Sequence, residues 1–278
     1  MITDSNSGME SPTYAELPWM TEEQRASFYV VAYEAGAEHT SLPTWANNSA
    51  NPAALAETLP LGPVIRREVA QVPGTFQLLN ILSPQECQRL IQISEALGYL
   101  KDAAVSLPRE IRHNDNVVWV TDEKTDGIIW QRVAHLLGQD LAISGGKKPL
   151  GLNARFRFYR YGLEDFFKFH SDGAWPGSRV VDGQLVANAY PDRFSLMTFL
   201  LLLNEDFEGG ATRFLVNADD PSAPAKYHSR VREVDVRTPA GAALCFPHGL
   251  HPLHCIHSGE TIASGTKYII RTDVLFEL

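Results

Sequence analysis

Cysteine is scarce in this chain of 278 residues: Cys87, Cys245 and Cys255 are an odd number, and no two stand at Cys-x-x-Cys spacing. That excludes a disulfide frame and a cysteine zinc site, and the three read as reduced thiols of a cytoplasmic protein. Positive charge is also short. Lys and Arg number 24 against 33 Asp and Glu, net charge is −9, and there is no basic run, so a surface that tracks a phosphate backbone is disfavoured. Long apolar runs are missing too. The longest, Leu196 to Leu203, is interrupted by Thr198 and is far too short to cross a membrane. The opening MITDSNSGMESPTYAELPW has neither a basic nor an apolar region, so no signal peptide is expected. There is no internal repeat.

What is present is ordinary globular material, 44% hydrophobic and 21% charged, long enough for a substantial core. The expected organisation is an N-terminal extension over 1–62, partly ordered and packed on the remainder, and one domain over 63–278. In the extension, Thr21 to Ala35 reads as a helix and Leu42 to Pro60 as a polar stretch. Gly74 to Leu82 reads as a strand. Ser83-Pro84-Gln85-Glu86 is then a capping box with proline at the first helical position, and it predicts a helix with Cys87, Leu90, Ile91 and Leu97 on its apolar face, ended by Gly98. The polar cluster Arg112 to Asn116 leads into a strand over Val117 to Val120, and a second amphipathic helix spans 123–138.

From Leu150 onward the pattern is β. Arg155 to Tyr161 alternates, with Phe156 and Phe158 on one face and Arg155, Arg157, Tyr159 and Tyr161 on the other, a face that suits the wall of a polar cavity. Ser195 to Leu203 is apolar enough to be buried on both faces. On the last strand Lys267, Ile269, Arg271 and Asp273 share a face. Two helices followed by seven or eight short strands predict an α+β fold: a double-stranded β-helix, or jelly roll, over about 150–278 with the helices packed outside.

One short stretch carries chemistry. In extended chain His170 and Asp172 of Phe169-His170-Ser171-Asp172 point to the same face. A third ligand could come from His248, His251, His254 or His257, and two histidines with one carboxylate make the facial site of non-haem Fe(II) oxygenases. The long loop from Gly173 to Arg193, with Trp175 and Tyr190, follows directly on this pair and is expected to cover it.

The C-terminal half resembles the Fe(II)/2-oxoglutarate-dependent dioxygenase superfamily, in its prolyl-4-hydroxylase-like branch. The matching features are Tyr161-Gly162, His170-x-Asp172, Leu203-Asn204 with Glu208-Gly209-Gly210-x-Thr212-x-Phe214, Gly241-x-Ala243-Leu244-x-Phe246, and His257-x-Gly259 with Gly265-Thr266-Lys267-Tyr268. The resemblance implies that His170, Asp172 and His257 hold Fe(II), that Lys267 pairs with the distal carboxylate of 2-oxoglutarate, and that Tyr161 donates to the co-substrate. It further implies O2 consumption, succinate and CO2 as products, and ascorbate as a reductant. Two positions depart from the branch. Leu202 stands where a tyrosine is usual, and Ala211 replaces a glutamate, so a hydroxyl such as Thr198 would share the co-substrate's binding. The expected substrate is a small molecule or an amino-acid-like compound. A peptidyl prolyl 4-hydroxylase, and in another class a non-catalytic metal or 2-oxoglutarate sensor, are the alternatives; a nucleic-acid substrate is disfavoured by charge.

Overall fold

The computed structural model describes residues 20–103, 107–139, 144–220, 222–226, 228 and 230–278. The start of the expected N-terminal extension, 1–19, lies outside the described residues. A short helix α1 (Glu22–Ala26) is capped by Thr21 and Gln24, and the chain then enters β1 (Phe28–Glu34) and β2 (Leu42–Asn47) rather than continuing as a helix. The expectation of a helix to Ala35 fails because Tyr29, Val30 and Tyr33 are β-formers that pair in antiparallel register with β2.

Next come β3 (Ile65–Glu68), β4 (Phe76–Leu79) and α2 (Pro84–Leu97). The capping box is formed: Ser83 Oγ accepts from Glu86 N at 3.3 Å, and Glu86 Oε2 accepts from Ser83 N at 2.8 Å. β5 (Arg112–His113) and β6 (Asp115–Val120) precede α3 (Glu123–Leu137), which Asp122 caps by accepting from Lys124 N and Thr125 N. The two long helices are tied together by a buried pair, Glu86 Oε1 to Arg132 Nη2 at 2.8 Å.

β7 (Pro149–Leu152), β8 (Arg155–Tyr161) and β9 (Phe166–His170) follow. The loop after β9 contains a small hairpin, β10 (Arg179–Val181) and β11 (Gln184–Val186), turned by Asp182 and Gly183, both with positive φ. Then come β12 (Arg193–Leu202), β13 (Phe207–Gly209), β14 (Thr212–Asn217), β15 (Val231–Val236), β16 (Ala243–Pro247), β17 (Ile256–Gly259), β18 (Ile262–Gly265) and β19 (Lys267–Glu277).

The fold is mostly β. One sheet of ten strands runs β1-β2-β6-β8-β19-β12-β16-β4-β3, with β7 beside β19; a second runs β15-β14-β17-β9-β5. Strand alternation divides the core between them. Phe156, Phe158, Phe199, Leu201 and Ile270 pack with the apolar faces of α2 and α3. Their neighbours Tyr159, Leu200, Leu202 and Ile269 point the other way and pack with Phe214, Val216 and Val236 of the second sheet. Helices cover one face of the large sheet, and the space between the sheets is left for a site. No helix among the described residues is long and apolar enough to cross a membrane. The three cysteines are buried and unpaired.

Candidate metal centre

His170 ends β9 and His257 lies on β17, and antiparallel pairing sets them directly opposite each other. Asp172 follows two residues after His170, where the strand has ended. His170 Nε2 is 3.6 Å from Asp172 Oδ1, and His257 Nε2 is 3.8 Å from Asp172 Oδ2. One ligand atom from each residue lies within 4.8 Å of the other two, a spacing a single ion can bridge. The other ring nitrogens face carbonyls: His170 Nδ1 is 2.8 Å from Lys168 O, and His257 Nδ1 is 3.4 Å from Cys255 O. A carbonyl can only accept, so each Nδ1 carries the proton and each Nε2 offers its lone pair inward, the tautomer a metal needs. Burial, with His170 alongside, pushes His257 down to about 3, so the ring is neutral at pH 7. Burial opposes ionisation of Asp172, but the Arg271 guanidinium beside it outweighs burial and holds its carboxyl well below the usual range. A neutral His257 ring, the His170 ring with Nε2 turned inward and one carboxylate result. Phe167 stacks on the His170 ring and Phe246 meets the His257 ring edge-on, so both are fixed before any ligand arrives.

Among the C-terminal histidines the structure brings His257 alone into this cluster. His251 Nδ1 accepts from Leu253 N in its own turn, and His254 stays near the His251 carbonyl. His248 does something the sequence did not announce. Trp175 N donates to Ser195 Oγ at 2.7 Å, Ser195 Oγ lies 2.9 Å from His248 Nε2, His248 Nδ1 lies 2.8 Å from Thr198 Oγ1, and Thr198 Oγ1 donates to Asp172 Oδ2 at 2.6 Å. Because Thr198 gives its proton to the carboxylate, it must accept from His248 Nδ1–H, and His248 Nε2 then accepts from Ser195. The chain of bonds holds Asp172 in place. Thr198 therefore sits in the cavity with its hydroxyl engaged by Asp172 and His248.

A cavity of about 230 Å³ opens over the centre, its wall including Tyr161, Trp175, Thr198 and Lys267. Lys267 begins β19 opposite Tyr161 on β8, and its ammonium lies 5.6 Å from the Tyr161 ring centroid. Lys267 Nζ donates to Gly210 O at 2.6 Å. A Cβ on Gly210 would stand 3.3 Å from Lys267 Cδ and 2.5 Å from Ile262 Cδ1, so glycine leaves room for the lysine stem. Burial, with Arg237 nearby, pushes Lys267 down to about 8. Of the two arginines on the polar face of β8, Arg155 pairs with Glu34 on β1, whereas Arg157 lines the cavity. Arg112 lines it as well, from the polar cluster before β6. In the loop after β9, Trp175 reaches the cavity wall, while Tyr190 accepts a bond from Arg179 Nε at 2.9 Å.

No family model matches the chain, and no curated protein does. Among solved structures it is similar to the viral collagen prolyl hydroxylase of Paramecium Bursaria Chlorella virus-1 in its 2OG complex, at 16% identity over 76% of this chain and 100% of that one, with a TM-score of 0.46. It is similar to a Pseudomonas putida prolyl-4-hydroxylase at 17% identity over 74% and 92%, TM-score 0.45. It is also similar to a Trichoplax adhaerens prolyl hydroxylase, solved with a hypoxia inducible factor peptide fragment, at 15% identity over 74% and 83%, TM-score 0.48. What the metal centre can do is carried by its own residues rather than by these likenesses.

Proposed function

We propose that the chain is an Fe(II)- and 2-oxoglutarate-dependent dioxygenase that hydroxylates an unactivated C–H bond of a small-molecule or amino-acid-like substrate and releases succinate and CO2. The observation that carries this reading is the convergence of His170, His257 and Asp172 on one point in a cavity that also holds a buried lysine. Two imidazoles and a carboxylate on one side of a cavity fit Fe(II) and leave coordination positions open. Four strands of the large sheet, β8, β19, β12 and β16, and four of the small one, β15, β14, β17 and β9, are in this reading the two halves of a double-stranded β-helix.

Bound there with 2-oxoglutarate, the iron supplies the oxidation by O2; the protein supplies place and charge. His170, Asp172 and His257 hold the metal. Lys267 meets the distal carboxylate of the co-substrate as a point charge, with the Tyr161 phenol opposite it on β8. Thr198 keeps the Asp172 carboxylate oriented and, as a residue of the cavity wall, is the hydroxyl this reading offers to the co-substrate. Trp175, Phe167 and Leu200 exclude water from the reacting space. At about 230 Å³ the cavity is below the ~300–1,000 Å³ typical of ligand pockets, which supports a small substrate over an extended peptide.

Anaerobic addition of Fe(II) and 2-oxoglutarate is expected to give a visible charge-transfer absorption that neither gives alone, and admission of air is expected to release succinate. Absorption without succinate would favour a sensor; absence of both would sink the reading.

A further inference from the structure

Five of the eight buried side-chain polar atoms that lack a hydrogen-bond partner in the described structure belong to three residues at one end of the cavity: Arg157 Nη1, Arg271 Nε and Nη2, and both carboxylate oxygens of Asp273. Buried groups of this kind are ordinarily satisfied, so a cluster of them calls for water or a ligand. Arg157 and Arg271 stand opposite each other on β8 and β19 and both line the cavity, while Asp273 lies behind them. Arg271 Nη2 is 3.0 Å from Asp273 Oδ1, and Arg157 Nη1 is 3.6 Å from Asp273 Oδ2. Asp273 thus faces two guanidinium groups, and the second acid near Arg271, Asp172 at 3.5 Å, is shared with the metal site, so Arg157 has no carboxylate of its own. Burial and the neighbouring Arg271 bring Arg157 down to about 10, still protonated at neutral pH. The Trp175 ring lies 5.4 Å from the Arg157 guanidinium carbon and gives the cation an apolar flank.

We propose that this end of the cavity holds a carboxylate of the substrate, so that the substrate is a small organic acid with an apolar body, gripped by Arg157 with Arg271 beside it. The proposal rests on the oxygenase reading of the same site and deepens it. Lys267 and Arg271 share a face of β19 but stand four residues apart, roughly 13 Å along extended chain, so one small acid cannot occupy both ends. Co-substrate and substrate are then sorted by position, each with its own cation. Because Arg271 touches Asp172, the carbon nearest the metal is one close to the substrate's carboxyl group.

The test uses the full-length protein loaded with Mn(II) in place of Fe(II) and saturated with 2-oxoglutarate, and reads melting temperature. The probes are matched pairs, phenylacetate with phenylacetamide, hexanoate with hexanamide, and N-acetylvaline with its amide. At least one acid is expected to raise the melting temperature where its amide does not. Arg157→Gln should weaken that acid about tenfold or more, the loss of one charge-assisted hydrogen bond. Arg157→Lys, which keeps the charge without the planar fork, should fall between. If no acid outperforms its amide, or if the preference survives Arg157→Gln in a variant that still melts cooperatively, the proposal is overturned while the oxygenase reading stands. A wild type that gives no shift with Mn(II) and 2-oxoglutarate would instead overturn the oxygenase reading, and this proposal with it.

Discussion

Replacing Lys267 with methionine should make the empty protein more stable and the enzyme worse, and both effects can be sized. The lysine is buried and its pKa falls from 10.5 to about 8. At about 1.4 kcal/mol for each tenfold in the protonation constant, keeping the ammonium charged at pH 7 costs the folded state about 3 kcal/mol. Methionine removes that cost at similar volume but leaves the Gly210 carbonyl without its donor, a loss of about 1 kcal/mol. A net gain of about 2 kcal/mol at pH 7 should raise the melting temperature by roughly 4 to 8 °C. The sign of the pH dependence follows from linkage. Between about 8 and 10.5 the unfolded chain binds the proton that the folded chain has lost, so wild-type stability rises through that window and the advantage of the variant shrinks. In the proposed function the same ammonium meets the co-substrate's distal carboxylate. Losing one charge-assisted bond of about 1.5–3 kcal/mol should raise the 2-oxoglutarate requirement about 10- to 150-fold, with metal affinity nearly intact. Urea melts at pH 7 and pH 10 and succinate release against 2-oxoglutarate concentration are the assays. A variant that is less stable than wild type at pH 7, or whose 2-oxoglutarate requirement is unchanged, would refute the reasoning.

His257→Ala and Asp172→Ala should each abolish the thermal shift given by Mn(II) and stop succinate release, while His251→Ala and His254→Ala keep both; metal loss in either of the latter would move the third ligand. Thr198→Val frees Asp172 from the hydrogen-bonded chain through His248 and should weaken metal binding about 10- to 100-fold, measured by competition with a chelating dye; unchanged affinity would mean the carboxylate is oriented without it. Arg132→Met strands Glu86 at the junction of α2 and α3 and should cost about 3–5 kcal/mol in urea unfolding, and a cost under about 1 kcal/mol would show the pair is not holding the helices together.

How much of this was legible in the sequence depended on how local the cause was. The capping box at Ser83 and the alternation of Arg155 to Tyr161 are written in adjacent residues, and α2 and β8 follow them. Thr21 also announced a helix start correctly, but a cap says where a helix begins and not how far it runs. The β-branched and aromatic residues after Ser27, paired with β2, ended it after one turn. The hairpin of β10 and β11 was hidden because three-residue strands leave no period to read, although Asp182-Gly183 was its turn signal.

The site divides in the same way. His170 and Asp172 could be read together because two residues of extended chain separate them, and that face survives whatever the sheet does next. The hydrogen-bonded chain behind Asp172 could not be read, since Ser195, Thr198 and His248 meet only when β12 pairs with β16 and Thr198 comes opposite Phe246. The sequence showed Arg157, Arg271 and Asp273 as residues of polar strand faces, leaving the roles of the two arginines open. Register decides this. Pairing Lys267 with Tyr161 puts Arg271 opposite Arg157, two cations where one opposed charge would have closed the account, and the acid two residues on, Asp273, sits behind both. A single-residue slip of β19 would turn Lys267, Arg271 and Asp273 onto the face packed by α2 and α3, among Phe158, Phe199 and Leu201. The same pairing that keeps three charged side chains out of the apolar core therefore sets the two ends of the cavity, one for each acid it is inferred to bind.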